Sequence, residues 1–138
     1  MSYNKCDEKR LKGDIKMTLK YHENGIWIEK INENDFRIGL SEKGQDDVGE
    51  VMFAEIIEHA GSLSKGDPII NVEGAKAVTE MTLPFSAAVK EKHKQVEDDP
   101  SLLNSEDKND NWILVVNNVD PKVWNALDTE LVFDSYNN

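Results

Sequence analysis

The fold of this chain is decided by the stretch Ile70–Met81, INVEGAKAVTEM, in which a strand-forming run breaks at Gly74 and resumes beyond a single lysine, Lys76. The β-branched residues of the stretch favour pleated strands, and glycine tolerates the backbone angles of a tight turn. The pattern therefore predicts a β-hairpin with Lys76 at its tip. Most lysines at turns are simply solvated, but a displayed primary amine can also be acylated and hold a prosthetic group.

Further short strands are predicted wherever apolar or β-branched residues run or alternate between turn residues. These segments are 15–21, 26–28, 35–40, 50–57, 84–89 and 112–116, with a loop at 61–66. Many short strands and few helices indicate a mainly β protein built as a small barrel or sandwich. Its core is expected to include Ile38, Val72, Val78 and Trp112.

Two helices have clear start signals. Ser41 is a predicted N-cap with Glu42 in the first turn, and this short helix is expected to end at Val48-Gly49. Asp120-Pro121 combines an N-cap with a proline in the first turn, so a second helix should begin there. One helical turn is also expected at 101–103, inside an acidic segment.

Length and charge limit the classes of protein to consider. The 138 residues with 38% hydrophobic content suit one domain, predicted at 14–134, between a mobile leader at 1–13 and a tail at 135–138. A formal charge of −11 argues against nucleic acid and anionic membranes as partners. Cys6 is the single cysteine, which excludes an internal disulfide framework, and no apolar run has membrane-spanning length. We expect a cytoplasmic monomer.

The sequence lacks the residue patterns that catalysis and metal binding need. His22, His59 and His93 are scattered, with no second ligand type at metal-binding spacing. No Gly-x-Ser-x-Gly elbow, activated Cys-His pair or phosphate-cradling glycine loop is present. The acidic residues within 97–110 lack the spacing of a calcium loop and are expected to form a solvated face. We therefore expect no enzyme and no metal site, and a displayed lysine without catalytic groups is typical of a carrier.

From residue 21 to about 133 the sequence resembles the glycine cleavage system H-protein family, whose members are lipoyl carriers. The first matches are residues 21–27 with the family's tyrosine followed by His-Glu-Trp, 38–45 with Val-Gly-Ile-Thr-x-His-Ala-Gln, and 48–50 with Leu-Gly-Asp. Residues 73–77 then match the lipoylation motif Glu-Ser-Val-Lys-Ala, and Pro84 stands at the family's next proline. Residues 100–105 match Pro-Glu-Leu-Val-Asn-Ser, and Trp112 matches the family's final tryptophan. Each motif is weak alone, whereas the ordered set with matching spacing is specific. Biotin carriers usually place their lysine between methionines, and Lys76 lies between alanines, which favours lipoate.

The resemblance implies a flattened barrel-sandwich hybrid of the lipoyl and biotinyl type, with short flanking helices and the lysine on a hairpin turn. It implies lipoate bound covalently to Lys76, attached by a lipoate ligase and used by lipoamide dehydrogenase-type or glycine cleavage enzymes. Recognition by the ligase or other partners is assigned to the residues around the lysine, where the two glutamates would supply electrostatic complementarity. These residues are Glu73, Gly74, Ala75, Ala77 and Glu80.

Two departures from the family affect the cleft that shelters the loaded arm in glycine cleavage. Ile26 stands where the family has a carboxylate, and Lys43 stands where it has a histidine, so a protonated methylamine would be repelled rather than held. The chain is more similar to an H-like branch, through 45–49 and through 103–112. That branch accompanies a lipoate ligase, a sirtuin-type ADP-ribosyltransferase and a macrodomain hydrolase, and Asp46 matches its ADP-ribosyl acceptor. Asp46 can equally be an ordinary acid on a helix surface.

Three other functions stay open from the sequence. The chain can be the H protein of glycine cleavage itself, carrying an aminomethyl group between the enzymes of that system. It can be an unmodified binding module in which Lys76 is never acylated. It can also be related to the lipoate-binding proteins of sulfur oxidation.

Overall fold

The computed structural model describes residues 19–57 and 61–127 of the 138-residue chain. The strands of this part are β1 Leu19–His22, β2 Ile26–Lys30, β3 Asp35–Leu40, β4 Val51–Ile56, β5 Ser62–Leu63, β6 Pro68–Gly74, β7 Val78–Thr82, β8 Ala87–Lys92 and β9 Trp112–Asn117. The helices are α1 Glu42–Val48, α2 Gln95–Asp98, a 3₁₀ helix Pro100–Asn104, α3 Lys108–Asn111 and α4 Pro121–Ala126.

The strands form two antiparallel sheets. Six strands lie in the order β1-β2-β3-β9-β8-β5, and three lie in the order β4-β6-β7. The smaller sheet contains the predicted hairpin as its strands β6 and β7. The mainly β fold with short helices that the sequence predicted is therefore confirmed.

One hydrophobic cluster joins the two sheets. The larger sheet contributes Ile28 and Ile38, and the smaller sheet contributes Ile70 and Val72, all of them fully buried. On β6, Asn71 between these two positions is half-buried and Glu73 after them is exposed, which is the period of two expected for a strand with one face on the core. The hairpin is thus anchored through its inner face.

The two helix signals are confirmed by their caps. The Ser41 side chain accepts a hydrogen bond from the backbone N–H of Gly44 at 3.2 Å, and α1 ends at Gly49, where φ is +75°. The Asp120 side chain accepts from the backbone N–H of Lys122 at 2.9 Å, and Pro121 is the first residue of α4. The turn expected at 101–103 is the 3₁₀ helix.

Several strand predictions need correction. The strand expected from residue 84 begins at Ala87, and the segment expected as a loop at 61–66 contains the two-residue strand β5. The strand predicted at 15–21 falls partly outside the described residues, as do the leader and the tail.

Two residues expected in the core lie elsewhere. Val78 is 75% exposed, because it begins β7 on the outer face of the small sheet. Trp112 is only half-buried and stacks on His93, with ring centroids 4.3 Å apart. Ile38 and Val72 are fully buried, as predicted.

Candidate functional site

Lys76 occupies the centre of the hairpin tip. Strand β6 ends at Gly74, and the backbone N–H of this residue donates to the carbonyl of Ala77 at 2.9 Å, which closes the turn. The Lys76 side chain is 62% exposed. The structure therefore displays the amine that the sequence singled out, at the position where the strand pattern placed it.

The hairpin tip rests on the end of α1. The backbone N–H of Lys76 donates to the carbonyl of Val48 at 2.9 Å, and the N–H of Ala75 donates to the carbonyl of Glu50 at 2.8 Å. We call the segment Val48–Val51 the α1–β4 link. Because two amides of the tip bond to this link, the backbone under the lysine is fixed while its side chain stays in solvent.

Two glycines make this close approach possible. A Cβ on Gly74 would lie 2.1 Å from the carbonyl oxygen of Val48, far inside van der Waals contact. A Cβ on Gly49 would lie 2.9 Å from Cγ of Lys76, and the positive φ of Gly49 is itself one that other residues rarely adopt. The contact between tip and link thus depends on the absence of side chains at both positions.

The ammonium group of Lys76 points back towards α1. Its Nζ donates to the backbone carbonyl of Asp46 at 3.1 Å and lies 3.9 Å from the Asp46 carboxylate. Both side chains are more than 60% exposed, so water screens the ion pair, which contributes about 0–1 kcal/mol. An enzyme can detach the amine from these contacts at little cost. The carboxylate that the sequence analysis matched to an ADP-ribosyl acceptor is therefore a direct neighbour of the lysine.

One amide side chain holds the α1–β4 link, and a second ties α1 to the segment that carries the first. Asn104 accepts from the N–H of Val51 at 2.7 Å and donates to the carbonyl of Gly49 at 3.0 Å. Gln45 donates to the carbonyls of Leu103 and Ser105 at 2.8 and 2.7 Å. Sequence reasoning quoted both residues only as parts of motifs and did not find this role, because the contacts span more than 50 residues.

The two residues assigned to an arm cleft are both buried, and their place at such a cleft stays a prediction. Ile26 belongs to the core and has no exposed surface. Lys43 is mostly buried, and its Nζ donates to the carboxylate of Asp47, one turn along α1, at 3.0 Å. Lys43 therefore already has an anionic partner of its own.

The residues assigned to partner recognition surround the lysine as expected. Glu73, Ala75 and Glu80 are exposed, while Gly74 and Ala77 are half-buried by the turn and the link. The two glutamates lie on the outward face of the small sheet, one on each strand of the hairpin. Their role in recognition stays a prediction.

A groove of about 400 Å³ lies between α1, α3 and the larger sheet, apart from the lysine. Its wall includes Trp27, whose Nε1 donates to the Asn111 side chain at 2.8 Å and whose ring has the Lys108 ammonium 5.6 Å from its centroid. Burial, with a smaller contribution from the Glu42 carboxylate, raises the pKa of Tyr21 at the same groove. No hairpin residue lines it, so this groove is separate from Lys76.

Metal ligands do not cluster in residues 19–57 and 61–127, where no group of three or more His, Cys, Asp or Glu side chains could hold an ion. His93 has a structural role, since its Nδ1 lies 2.7 Å from the carbonyl oxygen of Trp112. His59 and Cys6 lie outside the described residues. Within the described ranges, no helix is long and apolar enough to cross a membrane.

Comparison with known proteins gives a consistent result. The family model described as "Glycine cleavage H-protein" matches residues 19–135. The chain is 32% identical over 116 residues to the glycine cleavage system H protein of Bifidobacterium longum, covering 84% of each chain. It is 34% identical over 99 residues to a probable glycine cleavage system H protein of Thermococcus kodakarensis, covering 72% of this chain and 73% of that protein.

The fold agrees with a solved structure as well. The crystal structure of a glycine cleavage system H protein from Mycobacterium marinum superposes with a TM-score of 0.65 at 20% identity, over 86% of this chain and 92% of that one. This similarity identifies the two sheets and their short helices as the flattened barrel-sandwich hybrid. The match of the family model and the identity to the curated relatives together show that the chain belongs to the glycine cleavage H-protein family.

Proposed function

We propose that this chain is a lipoyl carrier, not a catalyst, and that it holds lipoate through an amide on Lys76. The observation that supports this assignment best is the amine itself, which is 62% exposed on a hairpin tip whose backbone is fixed by two hydrogen bonds. A ligase must bring an activated acyl group to one amine among many. A rigidly presented lysine lowers the entropic cost of that alignment.

The chemistry requires little of the carrier beyond the amine. Nζ of Lys76, once deprotonated, attacks the activated acyl carbon, an amide bond forms, and the leaving group departs with its electron pair. The lysine loses its charge and with it the ion pair to Asp46. Once bound, the group would supply a dithiolane that takes up two electrons to become a dithiol, one sulfur of which can carry an acyl group, and tethering would raise its effective concentration at each enzyme that docks.

The test is the intact mass of the protein after incubation with lipoate, ATP and a lipoate ligase. We expect the gain of one lipoyl group in the wild type, no gain in Lys76→Arg, and a normal gain in Lys65→Arg. Lys65 is a matched control because it is also an exposed lysine in a turn. Equal modification of Lys76→Arg and the wild type would refute the assignment.

We further propose that the chain acts in the H-like branch. In this proposal a sirtuin-type transferase adds ADP-ribose to Asp46, and a macrodomain hydrolase removes it. In support, the Asp46 side chain is 69% exposed and 3.9 Å from the amine, so a modification there would stand directly over the lysine. Incubation with NAD⁺ and such a transferase should add one ADP-ribose to the wild type and to Asp47→Asn but not to Asp46→Asn. Modification of Asp46→Asn would exclude that residue.

The alternative is glycine cleavage itself, which the names of the curated relatives favour. The buried hydrophobe Ile26 and the paired Lys43 offer no carboxylate or imidazole to an aminomethyl group, which weighs against it. Reconstitution with glycine decarboxylase discriminates the two, since glycine-dependent exchange of CO₂ requires a carrier that accepts the aminomethyl arm. A chain that no ligase modifies would instead be a binding module.

A further inference from the structure

The outer face of the small sheet carries an unusual combination of side chains. Strand register places Phe53 opposite Glu73, and Glu73 opposite Val78, so these three form one row across the sheet. The next row towards the base of the hairpin is Glu55, Asn71 and Glu80. Side chains opposite each other in antiparallel strands share a face, so all six point to the same side of the sheet.

The first row exposes two large apolar side chains beside the lysine. Val78 is 75% exposed and Phe53 is 46% exposed, and Met52, at an irregularity in the pairing of β4, adds a third at 64%. Val78 is two residues from Lys76 and Glu73 is three residues before it. Isolated apolar side chains on a surface are ordinary, whereas a group of them with a charged border is typical of an interaction site.

The charged border is acidic only. Glu55, Glu73 and Glu80 are exposed, and none has an ion-pair partner among the described residues. The six residues of the two rows include no lysine or arginine. A second copy of this chain would bring like charges together, so the face is unsuited to self-association and suits a partner with an apolar contact surface framed by Lys and Arg.

We propose that this face is the docking surface of the enzyme that acylates Lys76, with Phe53 and Val78 as its apolar anchors. The proposal rests on the proposed function, because it needs Lys76 to be acylated. An enzyme whose active site closes over the hairpin tip has to lie beside Val78, and apolar contacts there hold the carrier while the acidic border steers the approach.

The experiment is steady-state kinetics of lipoylation, with a lipoate ligase, lipoate and ATP at saturation and the carrier concentration varied. Phe53→Ser and Val78→Ser should each raise KM for the carrier about fivefold or more, with kcat changed less than about twofold, because the contacts hold the carrier without reaching the reacting atoms. Ile31→Ser is the matched control, since Ile31 is 45% exposed and lies between β2 and β3 in the other sheet. It should behave as the wild type.

A second experiment tests the negative charge of the face. The double variant Glu55→Gln, Glu80→Gln should have a higher KM for the carrier, and that KM should depend less on salt concentration. Glu33→Gln, on the turn before β3, should leave both the KM and its salt dependence unchanged. Thermal unfolding of each variant separates lost docking from lost folding, and Val78→Ser is the safer variant because its side chain is mostly in solvent.

The outcomes separate the docking surface from the carrier assignment. A normal KM in Phe53→Ser and Val78→Ser, with wild-type lipoylation intact, overturns the docking surface alone. A fall in kcat without a rise in KM also overturns it, because the two residues would then act after binding. A dimer that these substitutions dissociate would assign the face to a second copy instead. A wild type that is not lipoylated overturns both proposals.

Discussion

The contact between Gly74 and the α1–β4 link gives a prediction whose size follows from the structure. In Gly74→Ala the added Cβ would lie 2.1 Å from the carbonyl oxygen of Val48 and 2.8 Å from its carbon. Both atoms are backbone, so no side chain can rotate away. The tip and the link have to separate by roughly an ångström to reach ordinary contact distances.

Separating the tip from the link relieves the clash but also breaks a hydrogen bond. The same carbonyl of Val48 accepts the N–H of Lys76 at 2.9 Å, and a further ångström breaks this bond. Overpacking costs about 1–3 kcal/mol and the lost hydrogen bond about 1 kcal/mol. Gly74 has no positive φ, so alanine also restricts the unfolded chain and returns about 0.4–1 kcal/mol. We expect a net loss of about 1–3 kcal/mol in the free energy of unfolding.

Urea denaturation measures the loss, and amide hydrogen exchange at Lys76 tests its cause. The N–H of Lys76 should be protected in the wild type and should exchange faster in Gly74→Ala. Gly61→Ala is the control, because a Cβ there meets nothing within 4 Å while the positive φ still costs about 1–2 kcal/mol. Its Lys76 amide should keep the wild-type protection. A Gly74→Ala protein of wild-type stability with an equally protected Lys76 amide would refute the steric reasoning.

Three further predictions concern the hydrogen bonds of Asn104 to the α1–β4 link and the titration of Asp35 and Tyr21. Asn104→Ala should destabilise the fold by about 1–2 kcal/mol in urea denaturation, because it leaves the partly buried N–H of Val51 without its acceptor, whereas water can bond to the exposed carbonyl of Gly49; a wild-type midpoint would contradict this. Hydrogen bonds from Lys90 and then from Asn32 hold the pKa of the Asp35 carboxyl below its ordinary value of 3.8. Its stabilising contribution is therefore complete above that value and is lost as the pH falls through the lower folded pKa. Asp35→Asn should therefore be less stable than the wild type at neutral pH, and the difference should shrink in acid; a constant difference would contradict this. Burial raises the pKa of Tyr21 above 10.0, so stability should fall as the pH rises from about 10 through the folded pKa. Urea denaturation at alkaline pH should show a smaller fall in Tyr21→Phe than in the wild type, and an equal fall would contradict this.

Local signals in the sequence predicted the parts of the site that depend on neighbouring residues. The hairpin follows from β-branched residues on either side of Gly74, and α1 follows from the cap at Ser41 and the glycine after Val48. In each case the deciding residues lie within a few positions of the element that they define. The position of Lys76 could be predicted for the same reason.

Long-range contacts were beyond that reasoning. The amide side chain of Asn104 reaches the α1–β4 link across more than 50 residues, and no periodic pattern marks it. Val78 was expected in the core because it is β-branched, but the register of β6 and β7 places it on the outer row with Glu73. The four-residue helices α2 and α3 are too short to show a helical period.

Ile26 shows that a match to a family position does not give the burial of the side chain that stands there. The position suggested a cleft because the family has a carboxylate there. Ile26, Trp27 and Ile28 form a continuous apolar run at the start of β2, and all three are buried. Burial of a hydrophobe fills the space that a carboxylate would keep open to the solvent.

The two backbone bonds between the hairpin tip and the α1–β4 link would also determine where the proposed lipoyl arm on Lys76 starts. Because the amides of Ala75 and Lys76 are fixed to the body of the protein, the pivot of the arm does not travel, and only the side chain turns. The arm would therefore sweep a volume centred on one fixed point of the domain. A partner enzyme would meet the arm by docking to the rigid domain close to that point.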